Sequence, residues 1–338
     1  MASKLAVLLT VSCRTMMERV ARTAVALLVL VISSGRTPSA QSRPDLDFRF
    51  ANDRPAFAAG QGPLVCIDVG HNNFQTEMVP GALQPFTTLL AADGFKTTEI
   101  PAPFTHNSLA KCNVLVIARA FATANAKGQW KFPHDSAFSS DELEAMYQWI
   151  REGGGLFLIT HHAPAPGAVS DLATMLGAVM VDGTARLTNQ RPSPNLAPLP
   201  DVFTRRAGNM ADHSILRGRS TVEAIDHVAA WTGTAFKTSR EWSPLLTYGP
   251  DAVAWAALGV FPALEVPRER WPYFDISSWA YAATRHLDRG RVALLAGSTT
   301  CTALVDSDGP FGMNHPAADQ NAQFCLNTVR WLSDLLKD

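Results

Sequence analysis

The sequence predicts an α/β protein of three layers, with a mainly parallel sheet covered by helices on both faces. Three observations carry this. Short apolar runs without internal alternation recur at 64–69, 113–118, 156–160 and 290–297, as strands buried on both faces require. Helical periodicities stand between them, in the order β-α-β-β-α-β. Gly- and Asp-containing breakers separate the elements.

Leu64–Val69 ends at Gly70 and reads as the first strand. Leu83–Ala92 reads as a helix stopped by Asp93-Gly94, Phe95–Ile100 as the second strand and Asn113–Ala118 as the third. Ser139-Ser140-Asp141-Glu142 is a capping box, in which a serine hydroxyl and a glutamate satisfy orphan N–H groups reciprocally. Leu143, Met146, Tyr147 and Ile150 follow at i, i+3, i+4, i+7, the spacing of one buried helix face. That helix stops at Gly153-Gly154-Gly155, ahead of a fourth strand at Leu156–Thr160. From about 181 to 285 the rhythm breaks into Pro-, Gly- and Trp-rich stretches, read as a β-rich insertion or an elaborated edge. Within it, Leu245–Tyr248 and Ala252–Trp255 flank Gly249-Pro250-Asp251 and predict a hairpin. A core strand at Gly290–Gly297 and a helix from about Asp319 to Leu336 close the chain.

The chain has 338 residues, 47% hydrophobic and 17% charged, which excludes wholesale disorder. With 29 Lys+Arg against 30 Asp+Glu, bulk charge argues against a nucleic-acid partner. Residues 1–40 read as a signal peptide: Arg19 and Arg22 precede the apolar run Thr23–Ile32, and small residues lead to Ala40. The run is shorter than the roughly 20 residues of a membrane span, so no stable membrane anchor is expected after cleavage. Cleavage would remove Lys4, Arg14, Arg19, Arg22, Arg36 and Glu18, leaving 24 basic and 29 acidic residues and a net charge of −5. Residues 41–62 read as a linker or N-terminal arm, 63–338 as the α/β domain, and the expected location is secreted or periplasmic.

Cys66, Cys112, Cys301 and Cys325 remain in the exported chain. The favoured reading is four buried free thiols; the alternative is two disulfides in one of three pairings. No CxxC spacing occurs, so a cysteine zinc site is not expected. No metal site and no cofactor is predicted.

Ligands of open α/β sheets bind beyond the carboxyl ends of the strands. Asp68, His71, Asn72 and Asn73 follow the first strand, Arg119 the third, Thr160, His161 and His162 the fourth, and Ser298, Thr299 and Thr300 the late strand. Asn314, His315, Asp319 and Asn321 open the last helix. The candidate ligand contacts are Asp68, His71, Asn73, His162, Asn314 and Asn321. The candidate catalytic groups are His162, His71 and Asp68, since an imidazole near neutrality can act as general base beside a carboxylate. His161 reads as structural, and adjacent His161 and His162 are expected to point apart. No Gly-x-Ser-x-Gly or Gly-x-Cys-x-Gly elbow follows any strand, so covalent acyl transfer lacks its nucleophile. The eight Trp, several between Trp231 and Trp279, offer a partner surface or, more ordinarily, core.

Three stretches taken together resemble a known lineage. They are Asp68-Val69-Gly70-His71-Asn72-Asn73-Phe74, then Ser136–Ser139 with Trp149–Gly155 and Thr160–Ala168, then Gly312–Pro316 with Gln320–Phe324 and Asn327–Leu332. The chain resembles a family of secreted bacterial proteins without an assigned activity, related to the class I glutamine amidotransferase-like superfamily. The segment Gly153–Gly177 is more distantly similar to ThuA-like proteins. The resemblance covers roughly 63–333 and implies a flavodoxin-like fold in the glutamine amidotransferase-like sense. Asp68, His71, Asn73, His162, Asn314 and Asn321 match the family pattern. Val69, Gln75, His161 and Ser298 stand where that pattern has an acid, a histidine, an aspartate and a glutamate, which implies an altered site.

Two functions follow as expectations. The first is a secreted glutamine amidotransferase-like protein that binds a small polar ligand, a carbohydrate-like one among the candidates, without the amidotransferase reaction. The second is a hydrolase using a histidine general base on water, with metal assistance near Asp68. The oligomeric state is left open.

Overall fold

The computed structural model describes residues 42–128, 133–187, 200–256 and 273–338. The expected signal peptide at 1–40 and Trp130 lie outside the described residues. The fold is mixed α/β, built on a nine-stranded sheet that is parallel in one half and antiparallel in the other, with smaller antiparallel sheets beside it.

The apolar runs form the central strands. They are β1 (Leu64–Asp68), β2 (Lys96–Ile100), β3 (Val114–Ala118) and β4 (Gly155–Ile159), followed by β5 (Ala178–Met180), β6 (Phe236–Thr238), β7 (Trp242–Thr247), β8 (Ala280–Leu287) and β9 (Gly290–Leu295). Their order is β2-β1-β3-β4-β9-β8-β6-β5, with β7 also paired to β8. The pairs β2/β1, β1/β3, β3/β4 and β4/β9 are parallel. From β9 onward every pairing is antiparallel. Every residue of β3 and β4 is buried, as strands at the centre of a covered sheet must be. The edges are blunted: β2 carries exposed Lys96, Thr97 and Glu99, and β5 has three residues. Charge and shortness both discourage edge-to-edge pairing.

Three longer helices cover the sheet: α1 (Gln84–Ala92), α2 (Ser140–Arg151) and α3 (Asn321–Leu332). The predicted capping box is present, with Ser139 and Glu142 each bonding the other's backbone. Helix α2 packs on the start of β9, where the backbone approach demands glycine. A Cβ on Gly290 would lie 1.9 Å from the Ile150 carbonyl oxygen. Helix α3 packs on β4 and β9 and against α1. It is shorter than predicted, because the chain turns at Ser333-Asp334 with Asp334 at φ 64°.

Two expectations require correction. The segments on either side of Gly249-Pro250-Asp251 do not form a hairpin. Residues 242–247 join β8 in the central sheet, whereas Val253–Ala256 pairs with Gly183–Arg186 and Tyr273–Asp275 in another. The turn's backbone groups bond residues 278–279 instead: Tyr248 N–H donates to Trp279 O and Ser278 N–H to Tyr248 O. The second correction concerns the cysteines, which are not free thiols: Cys66 pairs with Cys112 and Cys301 with Cys325. The first bridge joins β1 to the entry of β3, and the second joins the loop after β9 to α3. Sequence spacing carries no signal for either, because both depend on which strands lie side by side.

Strands β5 to β8 come largely from the region read as an elaboration, and they extend the central sheet itself. Trp231, Trp242 and Trp255 are buried. Residues 42–62 lie against the domain. Arg43–Pro44 pairs with Val305 and Leu304, and Phe48, Phe50 and Phe57 pack on the core.

Candidate functional site

The loop after β1 is a densely hydrogen-bonded polar segment of the carboxyl edge. Gly70 lets its backbone press against the loop after β2, since a Cβ there would meet Ala102 N at 2.0 Å. Asp68 is fully buried. Its Oδ1 accepts from Gly70 N–H at 3.0 Å and from His71 Nδ1 at 2.8 Å, and its Oδ2 accepts from Asn73 Nδ2 at 2.8 Å. The other ring nitrogen, His71 Nε2, donates to Glu142 Oε1 at 2.9 Å. Glu142 also accepts from the Phe104 and Ser139 N–H groups. The imidazole lies between Phe104 and Phe138, at centroid distances of 4.5 and 4.8 Å.

This is a carboxylate–imidazole–carboxylate triad under aromatic cover. Burial alone would lower the His71 pKa, but the bonds and charges of Asp68 and then Glu142 outweigh it and raise the pKa above 6.5. Burial opposes ionisation of Glu142 too, yet its bonds from Ser139, His71 and Phe104 hold it at about 2. The signs set a pH window. The raised His71 pKa contributes stability that is complete below 6.5 and is lost as pH rises through the folded value. The depressed Glu142 pKa contributes stability present above 4.5 and lost as pH falls towards about 2. Urea unfolding across pH should therefore show a plateau between these limits. His71→Gln should abolish the alkaline decline, and an unchanged decline in that variant would contradict the triad.

The other candidates lie elsewhere. His162 Nδ1 bonds the Ala163 carbonyl at 2.7 Å, and its ring lies 4.5 Å from that of His161, so the adjacent rings do not point apart. Asn314 Nδ2 donates to Asp45 Oδ2 and Leu304 O, tying down the N-terminal arm. Asn321 is buried, with its amide committed to both backbone groups of Ala229 and to Thr300 O. The structure thus brings together Asp68, His71 and Asn73, and separately places His162, Asn314 and Asn321 on backbone and arm.

A cleft of about 290 Å³ opens at the carboxyl edge of the parallel strands. Its lining includes Phe74 after β1, Arg119 after β3, His161 after β4 and Thr299 after β9. Trp231 and the hairpin of strands Ala303–Asp306 and Gly309–Gly312 overhang it, the hairpin contributing Asp306 and Asp308. None of the six predicted ligand contacts lines this cleft. Parallel strands deliver their following loops to one edge, which is why residues so distant in sequence meet here.

Arg119 continues the β3/β4 pairing through its N–H to Ile159 O, while its carbonyl accepts from Phe74 N–H. Its φ of 45° is left-handed, a conformation that bulky residues adopt at a cost and that clusters at functional sites. The guanidinium lies 3.6 Å from the Phe74 ring centroid. It is 7% exposed, and burial lowers its pKa to about 9. Burial, then the charges of Arg119 and His162, push His161 well below 6.5 and keep it neutral. His161 Nε2 bonds Thr232 Oγ1 at 2.9 Å. Among the described residues, Arg119 Nε, His161 Nδ1 and Thr299 Oγ1 are buried without a hydrogen-bond partner. Arg119 was visible in the sequence only as a residue after a strand, and His161 read as structural; neither signal reports burial. Among the described residues, no group of three or more His, Cys, Asp or Glu is arranged to hold a metal ion.

The fold and cleft define a mixed α/β protein with a ligand-sized crevice at the carboxyl edge of its parallel strands. No protein-family model and no curated protein matches the chain. Among solved structures, the mmIFT52 N-terminal domain is similar at a TM-score of 0.53 and 11% identity, over 80% of this chain and 97% of that one. At that identity the likeness shows the fold alone. Structural neighbours also include ThuA-like proteins from Bacteroides uniformis (TM-score 0.42, 12% identity, 84% and 94% covered) and Parabacteroides merdae (TM-score 0.41, 10% identity, 81% and 91% covered).

Proposed function

We propose that this is an exported binding or accessory protein that holds a small polar ligand in the cleft at the carboxyl edge, without amidotransferase chemistry. One observation carries the reading: three polar atoms on residues lining the cleft, Arg119 Nε, His161 Nδ1 and Thr299 Oγ1, are buried and have no hydrogen-bond partner among the described residues. Such atoms carry a desolvation penalty of about 1–3 kcal/mol each unless something bonds them, and a polar ligand would do so.

The strand order β2-β1-β3-β4-β9 is the flavodoxin-like order and supports a three-layer, glutamine amidotransferase-like ancestry. Two disulfides support an oxidising compartment, in keeping with the signal-like N-terminus. The geometry favours binding over hydrolysis. His71 has both nitrogens on carboxylates, and the cleft histidine, His161, is held neutral by burial and lacks a carboxylate partner among the described residues.

The test is a thermal-shift screen of the full chain against neutral, anionic and cationic small polar molecules. A ligand at about 100 times its Kd should stabilise by about 2.7 kcal/mol, a rise of several degrees. No shift across the panel would overturn the binding reading, and turnover of an ester, amide or glycoside that His162→Ala abolishes would put hydrolysis in its place.

A further inference from the structure

We infer that the cleft is specific for a small hydroxylated monocarboxylate, with its carboxylate seated on Arg119 and its hydroxyls reaching Asp306 and Asp308; this rests on the binding reading above. Three features of the cleft converge on it.

The first is the arginine. Arg119 is buried, forms no ion pair among the described residues, and holds its guanidinium carbon 3.6 Å from the Phe74 ring centroid. With the Phe74 ring against the guanidinium and Nε without a hydrogen-bond partner among the described residues, the N–H edge is what would take a carboxylate bidentately. A buried cation without a counter-ion destabilises the empty protein, so its place in a cleft calls for an anion. The second is its neighbour. His161 Nε2 can accept the Thr232 hydroxyl, so a neutral ring carries its proton on the unpartnered Nδ1 and donates it to the same anion.

The third is charge balance. Arg119 is the cation lining the cleft, His161 is neutral, and Asp306 and Asp308 line it as carboxylates. A dianionic phosphate would meet one cation and two like charges. A monoanion bearing hydroxyl groups satisfies both ends, since the aspartates accept from the hydroxyls. Phe74 and Trp231 supply apolar faces for its carbon skeleton.

The experiment is calorimetric titration of the full chain with D-glucuronate and D-gluconate, each against D-glucose and inorganic phosphate. The expected result is binding of at least one sugar acid, with glucose and phosphate weaker by about tenfold or more, as loss of a charged hydrogen-bonded pair implies. Arg119→Met should remove that preference, yet leave the ligand-free melting temperature unchanged or higher, because it removes an uncompensated buried charge. A merely structural arginine would lower it. Thr299→Val, which keeps the arginine and the shape, guards against misfolding of the first variant and should weaken sugar-acid binding less. Glucose binding as tightly as the acids would overturn the inference and leave the binding reading standing. No binding of either acid at millimolar concentration overturns the inference, and silence of the whole small-molecule panel takes the binding reading with it. Retention of the preference in folded Arg119→Met also overturns it.

Discussion

Arg330→Ala is expected to destabilise the folded chain by about 3–5 kcal/mol, the cost of leaving one partner of a buried ion pair uncompensated. Arg330 and Asp93 are both fully buried. The guanidinium grips the carboxylate with both arms, Nε to Oδ2 at 2.7 Å and NH2 to Oδ1 at 2.6 Å. NH1 faces Glu223 Oε1 at 3.1 Å. Asp93 also accepts from Ala56 N–H and Asn52 Nδ2, so one carboxylate joins the end of α1, the N-terminal arm and α3. Arg330→Lys should recover little, because an ammonium cannot match the bidentate geometry. Urea denaturation of Arg330→Ala, Asp93→Ala and the double variant provides the check. A double variant no better than the sum of the singles would show that the pair is not coupled.

Removing either disulfide should cost about 3–4 kcal/mol, from the loop-closure entropy restored to the unfolded chain. The bridges span 46 and 24 residues, and the cost rises only slowly with loop length. The paired variants Cys66→Ala/Cys112→Ala and Cys301→Ala/Cys325→Ala should therefore fall within about 1 kcal/mol of each other. Thiol titration of the unreduced, denatured protein should find none of the four cysteines free. Recovery of four reactive thiols would refute the pairings.

The strands and long helices were legible because their signals are local. Continuous apolar runs mark β1, β3, β4 and β9, and the Ser139–Glu142 capping box marks the first turn of α2. The hairpin at Gly249-Pro250-Asp251 misled because a turn signal says that the chain reverses, not which strand it then meets. Tyr248 and Val253 each found a partner more than 20 residues away in sequence.

The candidate site divides in the same way. Asp68, His71 and Asn73 lie within five residues of one another, and their mutual bonding is short-range. Glu142, which completes the triad, was assigned only to a helix cap; it serves both roles because α2 begins beside the β1 loop. Arg119 and His161 carry no local mark that separates a ligand contact from a solvated loop residue. That Arg119 Nε and His161 Nδ1 find no hydrogen-bond partner among the described residues appears only once the loops after β1, β3, β4 and β9 are packed side by side.

Local signals suffice for the α/β class, the central strands and the capped helix, because periodicity, capping and turn chemistry act over a few residues. The antiparallel half of the sheet, the cysteine pairing, the Arg330–Asp93 lock and the cleft around Arg119 emerge only when the chain is packed. Each of these is a relation between segments distant in the chain, and burial and charge compensation are properties of packed neighbours rather than of residue types.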